Sequence, residues 1–177
     1  MRYLIALPLK DSESKGFIKL REKFKDFAPR WKITLGPHIT LYRPSEFKIS
    51  KEDAVKEFKK APKMSEFSVE FDGFDAFMNH SNNAVYSEPK DHSSFEKIKS
   101  TYLPIAKNIL QDSSDIWPYH PHLTLVNRLD SESATKLIEE LKKTDFNHKY
   151  CFDRVVLYKK EHDDKNWVEL ASNKLEK

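Results

Sequence analysis

The chain has 177 residues, a net charge of +3, 33% charged residues and one cysteine, Cys151. A single cysteine excludes an intramolecular disulfide, and with it a disulfide-stapled secreted domain and zinc-finger chemistry. The length suits one domain over residues 1–177 that buries roughly 70% of its unfolded surface. The charge is too small to demand a nucleic-acid partner, and no run reaches the roughly 20 apolar residues of a membrane span, so no membrane contact and a cytoplasmic location are expected.

Arg2-Tyr3-Leu4-Ile5-Ala6-Leu7 reads as a first strand, because it lacks the long apolar core and cleavage site of a signal sequence. Phe17, Leu20, Phe24 and Phe27 recur at helical spacing over residues 12–28, with Lys19, Arg21, Lys23 and Lys25 assigned to the solvated face and Pro29 as the stop. A strand over 34–42 follows, closed by Arg43-Pro44. Ser50 opens a capping-box-like helix with Ala54, Phe58 and Ala61 on its apolar side.

Phe67, Val69 and Phe71 alternate with polar residues, and Phe74 and Phe77 prolong one extended run to Met78. A turn over 79–83 leads into a returning strand at 84–87. Phe95, Ile98, Tyr102, Ile105 and Ile109 mark the longest helix, starting near Asp91, and Pro104 is expected to kink or split it. A strand over 119–127 precedes a helix capped by Asp130 or Ser131. Ala134, Leu137, Ile138 and Leu141 form its apolar face, and strands over 150–159 and 166–171 complete the chain.

One motif occurs twice, as Gly36-Pro37-His38-Ile39-Thr40-Leu41 and as His120-Pro121-His122-Leu123-Thr124-Leu125. Along a strand, side chains alternate faces, so each copy sets an imidazole beside a hydroxyl and turns two aliphatic residues the other way. A lone His-x-Thr is common on the polar face of any antiparallel strand. Two framed copies about half a chain apart are not, and their flanks agree as well: Pro8-Leu9-Lys10-Asp11 with Pro89-Lys90-Asp91, Ser50 with Ser131, and Phe71-Asp72-Gly73-Phe74 with Phe152-Asp153-Arg154-Val155. The order of elements points to an internal duplication over 1–78 and 83–160 with an added C-terminal strand. The fold class expected is α+β and bilobal: two pseudo-symmetric lobes, each with an antiparallel sheet and flanking helices, around a central cleft.

These motifs resemble those of the 2H phosphoesterase superfamily, which includes the LigT-like 2'-5' RNA ligase proteins and the 2',3'-cyclic phosphodiesterases. The resemblance implies a bilobal fold with a cleft and metal-independent attack on a cyclic phosphate or a 2'-5' phosphodiester. It carries His38, Thr40, His122 and Thr124 into the catalytic site position by position. Tyr42-Arg43-Pro44 and Val126-Asn127-Arg128 depart from the LigT-like continuation, which leaves the choice of substrate open.

The chemistry fits the residues. In-line displacement at phosphorus asks for a base at the entering oxygen and an acid at the leaving one, and two imidazoles fill both roles near neutral pH. Threonine hydroxyls aimed at the non-bridging oxygens each contribute roughly 3 kcal/mol of transition-state stabilisation. No cofactor or metal is expected: the chain has three glycines and no phosphate-binding G-x-x-x-x-G-K-[ST] loop. The function expected is hydrolysis of 2',3'-cyclic phosphates at RNA ends or of small cyclic nucleotides, with 2'-5' joining as its reverse, by a monomer.

Tyr42, Arg43 and Arg128 are the candidates for substrate contact, and Tyr86, Trp117 and Tyr119 are further aromatic candidates for base stacking. His80, His92, His148 and His162 are read as surface groups. Two other functions stand beside the first: a non-catalytic RNA-binding module, and a metal-dependent hydrolase built on His120 and His122, for which two ligands are too few. A charged His120 next to His122 would keep His122 neutral, which favours His122 as base and His38 as acid.

Overall fold

The computed structural model describes residues 1–28, 34–79, 83–114, 118–161 and 166–177. Its first half runs β1 (Arg2–Pro8), α1 (Asp11–Lys23), a 3₁₀ turn (Lys25–Phe27), β2 (His38–Ser45), α2 (Lys51–Phe58), β3 (Phe67–Asp72) and β4 (Asp75–Phe77). The second half follows the same order: β5 (Asn83–Ser87), α3 (Ser93–Ile109), β6 (Leu123–Leu129), α4 (Ser131–Leu141), β7 (Asn147–Phe152) and β8 (Arg154–Lys160), then β9 (Val168–Lys174). The fold is α+β, and these strands pair antiparallel throughout.

The strands form sheets of order β2-β1-β8-β9 and β4-β5-β6, with β3 and β7 paired separately. The first strand of each half pairs with its own motif strand on one side and with the last strand of the other half on the other. Thus β8 closes onto β1, and β4 closes onto β5. Each lobe therefore contains strands from both halves.

This exchange depends on two breaks that the alternation pattern does not register. The expected run from Phe67 to Met78 is two strands, because Gly73, at φ 66, turns the chain in a left-handed conformation that glycine adopts without strain. Its N–H is held by the Phe146 carbonyl at 2.9 Å. The expected strand over 150–159 likewise breaks at Asp153, so β7 and β8 lie in different sheets. Helix α3, in contrast, runs unbroken through Pro104.

Local signals set the other boundaries. Ser50 accepts the Asp53 N–H at 3.1 Å and Asp130 accepts the Ser133 N–H at 2.7 Å, so each helix after a motif strand begins on a side-chain cap. Ile39, Leu41, Leu123 and Leu125 are at most 1% exposed, while His38, Thr40, His122 and Thr124 on the opposite face keep partial access. The four aliphatic residues join one core with Phe17, Phe58, Phe71, Phe95 and Phe152, which holds both motif strands from behind.

Candidate active site

His38 begins β2 opposite Pro8, and Thr40 lies opposite Ala6. Proline offers no ladder N–H and alanine no bulk, so the first motif sits beside a thin stretch of β1. Thr124 is opposite Tyr86, whose ring stacks on Phe77 at 4.1 Å between centroids. Both rings meet the His122 imidazole edge-on, at 5.3 Å and 5.0 Å.

The two histidines are held in the same way. His38 Nδ1 is 2.7 Å from the Gly36 carbonyl, and His122 Nδ1 is 2.7 Å from the His120 carbonyl. A carbonyl only accepts, so in each ring Nδ1 carries the proton and Nε2 is the nitrogen available for proton exchange.

Thr40 joins two adjoining cavities. One, of about 640 Å³, is lined by His122, Arg43, Phe77, Tyr119 and His120 together with Thr40. The other, of about 260 Å³, is lined by His38, Thr40, Thr124, Asn127 and Arg21. The two His-Thr pairs thus converge on one region, with a small polar chamber on one side and a larger, mostly apolar one on the other.

Burial holds His38 down at about 4, and the Arg21 and His122 charges push the same way against its bond to Gly36. Burial also lowers His122; the neighbouring His120 adds to this, while the Glu88 carboxylate opposes it. Glu88 Oε2 lies 2.7 Å from His120 Nε2. The charged neighbours are therefore unlike: a cation beside His38, and a carboxylate behind His122. His120 pushes His122 towards the neutral form, as expected, but the Glu88 carboxylate works against it, while burial and the Arg21 cation push His38 towards the neutral form as well.

A profile of the 2'-5' RNA ligase superfamily matches residues 9–164, and this span includes both motifs. The chain belongs to the 2'-5' RNA ligase superfamily. Its fold is that of Escherichia coli LigT in its apo form, at 18% identity and a TM-score of 0.65 over 99% of this chain and 98% of LigT. The Thermus thermophilus protein TT0787 gives 16% and 0.67 over 99% and 98%, and Kluyveromyces marxianus Usb1 gives 10% and 0.55 over 96% and 97%. No curated protein matches the chain. The superfamily groups phosphoesterases and RNA ligase-like enzymes within the 2H phosphoesterases, and this member is an enzyme of that general class.

Within this 2'-5' RNA ligase superfamily member, the remaining candidates divide. Tyr42 is a correction: it is 2% exposed, its hydroxyl donates to the Lys99 carbonyl at 2.5 Å, and it belongs to the core. Arg43 borders the larger cavity and is ion-paired with Asp112. Arg128 is exposed, adopts a positive φ of 62, and borders neither cavity. Tyr86 is 4% exposed, a buried wall behind His122, whereas Tyr119 faces the larger cavity with the Lys99 ammonium 4.3 Å from its ring centre.

Trp117, His80 and His162 lie outside the described residues. His148 is exposed, and His92 packs edge-on to His120 at 5.7 Å. Among the described residues no three His, Cys, Asp or Glu side chains converge as a metal cluster would require.

Two charged residues escaped the sequence reading. Arg21 is 3% exposed, against the expectation of a solvated helix face. The signal was present: it stands four residues after Phe17 and three before Phe24, on the apolar stripe. Glu88 carries no such mark in the sequence, because only the β5–β6 pairing brings it to His120.

Proposed function

We propose that this protein is a metal-independent phosphodiesterase that opens 2',3'-cyclic phosphates at RNA ends or on nucleotides. The observation that carries the reading is the matched pair of imidazoles, each with Nδ1 bound to the carbonyl two residues before it and each beside a threonine, around one pair of adjoining cavities. Binding alone does not call for two tautomerically fixed imidazoles. Proton transfer at two oxygens does.

In this reading His38 is the base and His122 the acid. The neutral His38 Nε2 takes a proton from water as the water oxygen bonds to phosphorus. The bond from phosphorus to one ribose oxygen breaks on the opposite side, and His122 Nε2–H gives that oxygen its proton. The product is a phosphomonoester, and the two histidines end with their protonation exchanged. Thr40 and Thr124 donate to the non-bridging oxygens. With a 5'-hydroxyl in place of water, the same displacement joins ends through a 2'-5' linkage.

The larger cavity suits the nucleoside. Its volume lies in the range of small-molecule sites. Phe77 and Tyr119 offer faces for a base, and Arg43 offers a cation at the rim. E. coli LigT, which shares the fold, is known in complexes with 3'-AMP and with phosphate.

The test is turnover of 2',3'-cyclic mononucleotides and of RNA oligomers ending in a cyclic phosphate, with and without chelator. Cleavage that survives chelation and disappears in His38→Ala and His122→Ala supports the reading. Cleavage lost in chelator would favour the metal-dependent alternative, and tight RNA binding with no turnover would favour the binding module.

A further inference from the structure

We propose that Arg21 is a positioning residue of this site, locking the second motif strand to the segment that leads into the first and supplying a fixed positive field where the phosphate lies. This rests on the phosphodiesterase reading above. Arg21 and Thr124 stand 103 residues apart, yet Arg21 Nε and Nη2 both donate to the Thr124 carbonyl, at 3.2 Å and 2.6 Å. Its Nη1 donates to the Leu35 carbonyl at 3.4 Å, three residues before His38. The guanidinium thus ties α1, the approach to β2 and the strand β6 at one point.

That point borders the small chamber shared by His38, Thr40 and Thr124. The side chain is 3% exposed and its guanidinium carbon stands 5.2 Å from the centre of the Phe17 ring, so the fork is fixed from behind by the core. A buried charge acts through a weaker dielectric than water, so it interacts strongly with groups beside it. Among the described residues, the charged or titratable groups that act on His38 are Arg21, from α1, and His122, ahead of β6. The same guanidinium therefore holds Thr124 in register and disfavours a proton on His38, and it does so with geometry that only a planar, multi-donor cation supplies.

The experiment compares wild type with Arg21→Met and Arg21→Lys, using NMR titration of the His38 imidazole, inorganic phosphate as a binding probe, and kinetics on a 2',3'-cyclic mononucleotide. Arg21→Met removes charge and fork. His38 should then titrate at higher pH, phosphate binding should weaken, and kcat should fall on the order of 10–100-fold. Arg21→Lys keeps the charge but not the fork, so His38 should titrate nearly as in wild type while kcat still falls about tenfold or more.

A merely structural arginine would lower the melting temperature and leave the His38 midpoint and phosphate affinity unchanged in folded Arg21→Met, and that outcome overturns the proposal. If Arg21→Met does not fold, wild-type kcat in Arg21→Lys overturns it instead. A wild type with no turnover sinks the phosphodiesterase reading, whereas the titration and phosphate arms still decide the role of Arg21.

Discussion

Glu88 Oε2 lies 2.7 Å from His120 Nε2, and the carbonyl of the same His120 accepts the Nδ1–H of His122. The first motif has Gly36 at the place of His120 and so has no such side chain behind its histidine. The two halves match in backbone but differ in charge.

Of the two motif histidines, Glu88→Gln should therefore act on His122 alone. The carboxylate favours the charged form of His122, so its removal lowers the His122 pKa and draws the alkaline limb of the pH–rate profile to lower pH. The pair is partly solvated, which keeps the rate loss at the optimum below about tenfold. A shift of the acid limb instead would show that Glu88 acts on the base.

The acid and base roles separate by leaving group. His38→Ala and His122→Ala should each lose on the order of a hundredfold or more on a natural cyclic phosphate. An activated leaving group needs no proton, so on such a substrate His122→Ala should recover much of its rate and His38→Ala should not. The opposite pattern of rescue would reverse the assignment.

Thr40→Val and Thr124→Val keep shape and remove a donor. Each should lower kcat by about 10²-fold, with KM nearly unchanged, if the hydroxyl strengthens its bond as charge develops on the non-bridging oxygen. A rise in KM with kcat preserved would place the hydroxyl in ground-state binding only.

Acid should weaken the fold through His38. Its folded-state pKa of about 4 lies below the ordinary 6.5, so the unfolded chain binds the proton more readily between those values. The contribution is present above pH 6.5 and is lost as pH falls towards 4. Urea midpoints measured across that window should drop less for His38→Gln than for wild type. Equal slopes would mean that His38 is not held neutral by the fold.

Leu125 and Gly73 test the scaffold. Leu125 is fully buried behind Thr124, and Leu125→Ala should cost about 2–5 kcal/mol in chemical denaturation. Gly73→Ala meets no atom within 4 Å but must hold φ near 66, so it should cost about 1 kcal/mol through the backbone alone. A larger loss at Gly73 would point to failure of the turn that separates β3 from β4.

Much of this was legible along the chain because it is local. Alternation at His38-Ile39-Thr40-Leu41 decides which side chains share a face, and the Ser50 and Asp130 caps decide where two helices begin. Each of these signals acts within a few residues. What tertiary structure alone decided involves partners far apart in sequence: β8 on β1 and β4 on β5, Tyr42 in the core rather than the cleft, and Arg21 bound to Thr124. The unequal charges around the two histidines belong to the same class. A repeat in sequence predicts equal backbones, but a pKa depends on burial and on neighbours drawn from other strands and helices, and those are set only when the sheets assemble.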